Sequence, residues 1–208
     1  MNEISVGGIV LCGGQSKRMG RPKAWLPFAG ELMLPRVVRL LGEAVHPVVV
    51  VAAPDQEVPP LPAAVAVLRD EAKGRGPLQG LAAGLNALRG QVDAAYLSSC
   101  DVPFLRPAFV RRLMDLLGND AICVPRVGGY HHPLAAVYRL DVADAVTRLL
   151  REDRLRPFFL FEAVPTRIVE AEELTDVDPT LQTLRNLNTP EDYEKAAQEI
   201  SSGSMKQG

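Results

Sequence analysis

"GGIVLCGGQSKRMGRPK", Gly7 to Lys23, decides how the fold is read. It begins as an apolar run, breaks at Gly13 and Gly14, and then carries Lys17, Arg18, Arg21 and Lys23. The apolar part is too short for a buried helix and reads as a strand covered on both faces. Runs of the same kind recur in "PVVVVAA" (47–53), "AVAVLRD" (64–70), "AAYLSSC" (94–100) and "AICVPR" (121–126). Between them, "LPRVVRLLGEA" spaces Val37, Leu40, Leu41 and Ala44 on one helical face. "GPLQGLAAGLNALRG" and "RPAFVRRLMDLLGND" carry similar stripes, each ending near a glycine suited to a C-cap. Repeated β–α–β predicts an α/β fold in three layers, a mostly parallel sheet with helices on both faces.

The later chain is less regular. "HPLAAVYRL" reads as a strand after a "VGGYHH" turn, which makes the sheet mixed. "DVADAVTRLLRED" reads as a helix with Asp141 as N-cap, and "TPEDYEKAAQEI" as one capped by Thr189 with an acidic first turn. "PDQEVPPLP" is a stiff surface loop. The expectation is a single domain over residues 1–198, followed by a disordered tail at 199–208 with little apolar surface to bury.

A formal net charge of −2 argues against a chain built to coat nucleic acid or an anionic membrane, so any cationic site must be local. No apolar run approaches the ~18 residues of a membrane span, and the first residues lack the pattern of a signal peptide. Cys12, Cys100 and Cys123 form no CxxC and read as reduced and buried, which fits a cytoplasmic protein.

In open α/β sheets ligands gather beyond the carboxyl ends of the strands. Gly13 and Gly14 fall there, where glycine lets backbone N–H groups cradle phosphate oxygens. With four cations close behind, a polyanion fits better than a neutral ligand. The stretch is neither a Walker A loop nor a GxGxxG fingerprint, and a merely solvated basic loop stays open as the alternative. Asp101 follows the strand "AAYLSS" on the same edge, where a carboxylate suits a hard cation such as Mg²⁺, although Asp-x-Pro also caps turns. Asp70 also ends a strand, either at a ligand or bonded to its own backbone. Asn186 and Asn188 alternate in "RNLNTPEDY", so a short strand would send both to one face; capping of the last helix is the competing reading.

"LCGGQSKRMGRPK" is similar to the LAGGxSxRMGxxK signature of small nucleotidyltransferases. With "GPLQGLAAGL" (76–85), "CDVPFL" (100–105), "HPLAAVYR" (132–139) and "NLNTPEDY" (186–193), the chain most resembles the molybdenum cofactor guanylyltransferases. The resemblance implies a Rossmann-like nucleotidyltransferase fold and transfer of GMP from GTP to the phosphate of molybdenum-bound molybdopterin. It also implies Arg18, Lys23 and Asp101 as the catalytic set, with Asp101 holding Mg²⁺. Leu11, Cys12, Gly13, Gly14, Lys23, Asp70, Gly80, Asp101, Asn186 and Asn188 would line the nucleotide. Partners would be GTP, the molybdopterin-type acceptor and, transiently, molybdoenzymes or their chaperones, with no nucleic acid and no membrane.

Two departures from the family pattern stand out. Cys12 replaces the usual alanine, and Val51, Ala52 and Ala53 stand where an asparagine after the second strand commonly meets the guanine nucleotide. The alternatives are therefore CMP transfer to the same acceptor, transfer to another small phosphorylated acceptor, or a nucleotide-binding adaptor without turnover. His131 and His132 read as a turn or pocket wall, with His132 a candidate acceptor contact by resemblance. Trp25 reads as a packing residue. Arg148, Arg151, Arg154 and Arg156 suit either a phosphorylated acceptor or a solvated helix face.

Overall fold

The fold is that of a computed structural model, which describes residues 4–13, 22–70 and 74–204. The first strand, β1 (Val6–Cys12), is followed by a two-residue hairpin of β2 (Pro27–Phe28) and β3 (Glu31–Leu32), then helix α1 (Met33–Gly42). Next come β4 (Val48–Ala52), β5 (Ala66–Arg69), α2 (Gly76–Leu88), β6 (Ala94–Ser99), α3 (Pro107–Leu116) and β7 (Ile122–Val127). The chain closes with β8 (Tyr130–His131), β9 (Ala136–Arg139), α4 (Ala143–Arg151), α5 (Phe158–Ala163), β10 (Thr166–Glu170) and α6 (Pro190–Ser204).

The main sheet runs β10-β7-β9-β6-β1-β4-β5, with β8 beside β7. β1 pairs in parallel with β4 and β6, β4 with β5, and β7 with β10. β9 is antiparallel to both β6 and β7, so the sheet is mixed, as expected. Alternation along the strands builds the three layers. In β1, Val10 faces Leu34, Val37 and Leu41 of α1 and Phe109 and Leu113 of α3. Its neighbour Ile9 faces Leu78, Leu81, Leu85 and Leu88 of α2 and Val146 and Leu149 of α4 on the other side. Burying each such side chain stabilises the fold by roughly 1.5–3 kcal/mol before the entropy of ordering is counted.

β5 departs from the expectation of two covered faces. It is an edge strand, its only ladder partner among the described residues is β4, and its two end residues are exposed. β10 and α5 had no counterpart in the sequence reading. The turn between β7 and β8 is made by Gly128 and Gly129 at φ of 57° and 81°, the backbone that a two-residue hairpin requires. Asp141 does not cap α4: residues Leu140–Val142 form a 3-10 turn, and Val142 stands at the cap without a side-chain bond. The last helix reaches Ser204, so residues 199–204 are helical and not part of a tail. Its cap matches the sequence pattern, because Thr189 Oγ1 accepts from Asp192 N at 3.1 Å while Asp192 Oδ2 accepts from Thr189 N at 3.0 Å. No helix among the described residues is long and apolar enough to cross a membrane.

Candidate active site

Parallel pairing brings the candidate residues to one edge. β1 and β6 are in register with Leu11 opposite Ser99, and Cys100 N continues the ladder to Leu11 O at 3.0 Å. Gly13 and Asp101 therefore leave adjacent strands side by side. The carboxyl ends of β4 and β5 lie on the same edge, where Asp70 N donates to Ala52 O at 2.8 Å. Gly14, Lys17, Arg18 and Arg21 lie outside the described residues.

Three chain segments meet at the Asp101 carboxylate, which is almost buried, its side chain 12% exposed. Ser99 Oγ donates to Asp101 Oδ1 at 2.6 Å, and Asn186 Nδ2 donates to the same oxygen at 2.9 Å. The other oxygen, Oδ2, accepts from Lys23 Nζ at 2.6 Å. Lys23 Nζ also donates to Asn188 Oδ1 at 2.8 Å. Lys23, Asp101, Asn186 and Asn188 thus form one connected group. Ser99 was not anticipated, although its place two residues before Asp101 on a strand end could have revealed it.

Local folding explains why these segments converge. Lys23 opens a 3-10 turn, Lys23–Trp25, and the next residues Leu26 and Phe28 enter a small apolar cluster with Met33, Leu187 and Ala196. Phe104, just past Asp101, meets Phe28 edge-on with ring centroids 5.5 Å apart. Leu187 sits in that cluster, so its neighbours turn to one site, Asn186 to the Asp101 carboxylate and Asn188 to the Lys23 ammonium beside it. The segment is not a strand: Leu187 N pairs with Asp101 O at 3.0 Å instead of joining a ladder.

Other candidates take structural places. A Cβ on Gly80 would lie 2.8 Å from Leu11 Cδ2, so this glycine lets α2 settle directly on β1. Trp25 Nε1 donates to Glu57 O at 3.1 Å and pins the proline-rich loop. His131 packs against Phe161 and Phe158, and its Nε2 is buried without a hydrogen-bond partner among the described residues. Arg154 stacks its guanidinium over the Phe159 ring at 4.2 Å.

The donor chemistry favours a hard cation. Asp101 Oδ2 and Asn188 Oδ1 both point at one spot where a cationic ammonium already fits, and both are oxygens. The three cysteines are free and buried. The hydrogen bond to Cys12, with burial adding, pushes the Cys100 thiol up, and burial pushes Cys123 up to about 12, so neither offers a thiolate. No group of three or more His, Cys, Asp and Glu gathers among the described residues, so an ion here would draw further ligands from substrate and water.

The MobA-like NTP transferase domain family matches residues 8–166. The chain is 40% identical over 182 residues to a probable molybdenum cofactor guanylyltransferase of Mycobacterium tuberculosis, covering 84% of this chain and 90% of that one. The corresponding Mycobacterium ulcerans protein is 37% identical over 194 residues, covering 91% and 92%. Among solved structures, molybdopterin-guanine dinucleotide biosynthesis protein A from Archaeoglobus fulgidus superposes with a TM-score of 0.77 at 23% identity, over 94% of this chain and 99% of its own. A Mycobacterium tuberculosis protein solved in complex with manganese superposes at 0.60 with 20% identity, over 93% and 98%. The chain belongs to the MobA-like NTP transferase family.

Proposed function

We propose that the protein transfers GMP from GTP to the phosphate of molybdenum-bound molybdopterin, releasing pyrophosphate. The observation that carries this reading is the Lys23–Asp101–Asn188 group beside the end of β1, in a chain 40% identical to a probable guanylyltransferase. An oxygen of the acceptor phosphate forms a bond to the α-phosphorus, and the bond from that phosphorus to the β-bridging oxygen breaks. Pyrophosphate leaves with the electron pair. A phosphate monoester has a second pKa of ~6 and is largely ionised at neutral pH, so no side chain need remove a proton.

The chain's own residues bind and orient. Backbone N–H groups after β1, at Gly13 and Gly14, cradle phosphate oxygens, while Lys23 and Arg18 offset charge on the triphosphate and leaving group. Asp101 and Asn188 hold a divalent ion, Mg²⁺ in the cell, and such an ion supplies charge neutralisation to the phosphates when bound. Ser99 and Asn186 fix the carboxylate so that Oδ2 faces the reacting groups. The acceleration comes from holding donor and acceptor in line together with neutralising the charge on the phosphates. Leu11, Cys12 and Asp70 complete the nucleotide-facing wall in this reading, and Gly80 supports it by letting α2 pack directly on Leu11.

The end of β4 favours a second reading, CMP transfer. Val51 and Ala52 are buried and Ala53 carries no polar side chain, so base choice falls to backbone groups there. Losing one buried base contact changes discrimination by ~1–3 kcal/mol. Pyrophosphate release from purified protein, molybdopterin and each nucleotide in turn decides between them. Release with GTP is expected, and release with CTP alone would replace the donor.

A further inference from the structure

We infer that Lys23 and a divalent cation exclude one another at Asp101, so that the lysine is the counter-ion the metal must displace. The inference rests on reading Asp101 as the metal carboxylate. An ionised carboxylate this far from water needs a compensating charge. Ser99 and Asn186 satisfy Oδ1 but are neutral, so they remove none of that charge. Among the described residues the one ion-pair partner of Asp101 is Lys23, at 2.6 Å from Oδ2. The same ammonium takes Asn188 Oδ1 at 2.8 Å, which is the second oxygen of the proposed ion site. One compact cation thus covers both metal-facing donors.

Two cations cannot share those oxygens at such distances without strong repulsion. Metal entry therefore frees the ammonium, and a four-carbon stem lets it swing to a nearby anion. In the proposed reaction that anion is the triphosphate. Lys23 then passes from carboxylate to phosphate as the metal arrives, so metal and nucleotide favour each other's binding. Asp101 never stands uncompensated, and the lysine reaches the phosphates only when the ion is in place.

The test needs no substrate, so failure of the transfer reaction and failure of this exchange are separately visible. Mn²⁺ affinity is measured by electron paramagnetic resonance for the full chain and for Lys23→Met and Lys23→Gln. Removing the competing charge should tighten Mn²⁺ binding by about tenfold, the scale of one partly buried ion pair. The melting temperature of both variants should also rise more with Mn²⁺ than that of the parent. In the parent chain, saturating Mn²⁺ should increase acylation of the Lys23 amine, read by mass spectrometry, which keeps the test valid even where a variant folds poorly. Equal or weaker Mn²⁺ binding by the folded variants, or Lys23 labelling that does not change with Mn²⁺, would overturn the inference.

Discussion

Leu187 donates its backbone N–H to the carbonyl of Asp101 at 3.0 Å, and this bond sets where the two flanking asparagines point. With Leu187 anchored in the apolar cluster of Leu26, Phe28 and Met33, Asn186 reaches Oδ1 of the carboxylate and Asn188 reaches the lysine beside Oδ2. The two amides therefore have different tasks. Asn186→Ala should lower turnover by ~10–100-fold at saturating metal, because the carboxylate loses an orienting donor. Asn188→Ala should mainly raise the metal concentration needed for half-maximal rate. Steady-state kinetics against metal concentration separates the two, and identical profiles would contradict the division.

Ser99→Ala removes the 2.6 Å bond to Asp101 Oδ1 and leaves the carboxylate with Asn186 alone on that oxygen. The site is buried, so the loss should cost ~1–3 kcal/mol of stability. Turnover should drop by about tenfold or more through misorientation of Asp101. Urea denaturation and kinetics on one preparation check both, and unchanged activity would show that Asn186 suffices.

Asp178 is fully buried, and its Oδ2 accepts from Thr183 N at 2.8 Å. Its Oδ1 lies 3.2 Å from Arg106 Nε, a contact close enough for charge compensation though not aligned as a hydrogen bond. This carboxylate ties the segment that delivers Asn186 to the start of α3, since Thr183 Oγ1 in turn accepts from Arg106 N at 3.1 Å. Arg106→Ala leaves the buried charge unpaired and should cost up to ~3–5 kcal/mol, lessened because Arg106 is itself about half exposed. Thermal unfolding reads the loss, and a melting temperature equal to that of the parent would show that Thr183 alone holds Asp178.

Burial, with the neighbouring His131 adding, holds the His132 imidazole below its ordinary value of 6.5. The unfolded chain then takes up this proton more readily than the folded one, so protonation favours unfolding. The stability linked to His132 is present above pH 6.5 and is lost as pH falls from there towards the lowered folded value. Glu31, Glu170 and Glu199 are held below 4.5 by hydrogen bonds from Arg39, Arg126 and Arg185, so their contribution is lost in a separate, more acidic window. His132→Gln should flatten the stability curve just below pH 6.5 and leave the acidic limb unchanged. Urea midpoints across that range check it, and an unaltered slope would remove His132 from the account.

Much of the site was legible because its signals are local. A strand ending in glycines, an aspartate just past a buried strand and two asparagines of alternate spacing each announce themselves within ten residues, and parallel pairing of β1 with β6 sets the first two side by side. What escaped depends on distant partners. β10 is only "TRIVE", and its place is set by pairing with β7, more than forty residues earlier in the chain. Nothing in "AVLR" tells an edge strand from a central one, because that depends on what fails to pair beyond it. Asp141 has the chemistry of a cap, yet the chain enters α4 through a 3-10 turn that leaves it inside the turn. Gly80 suggested room for a ligand, whereas the contact that demands its missing Cβ is Leu11. Lys23 was legible as a cation close behind the glycines; its bond to Asp101 was not, since the two are 78 residues apart.

In the proposed function the backbone at the end of β1 and the Asp101 carboxylate act on one triphosphate. A crystal grown with a non-hydrolysable GTP analogue and Mn²⁺, with the ion placed by its anomalous signal, tests it most directly. The anomalous peak should be bound to Asp101 and to a phosphate oxygen, with the same phosphates against the backbone at Gly13. An ion or nucleotide lodged at the opposite edge of the sheet would contradict it.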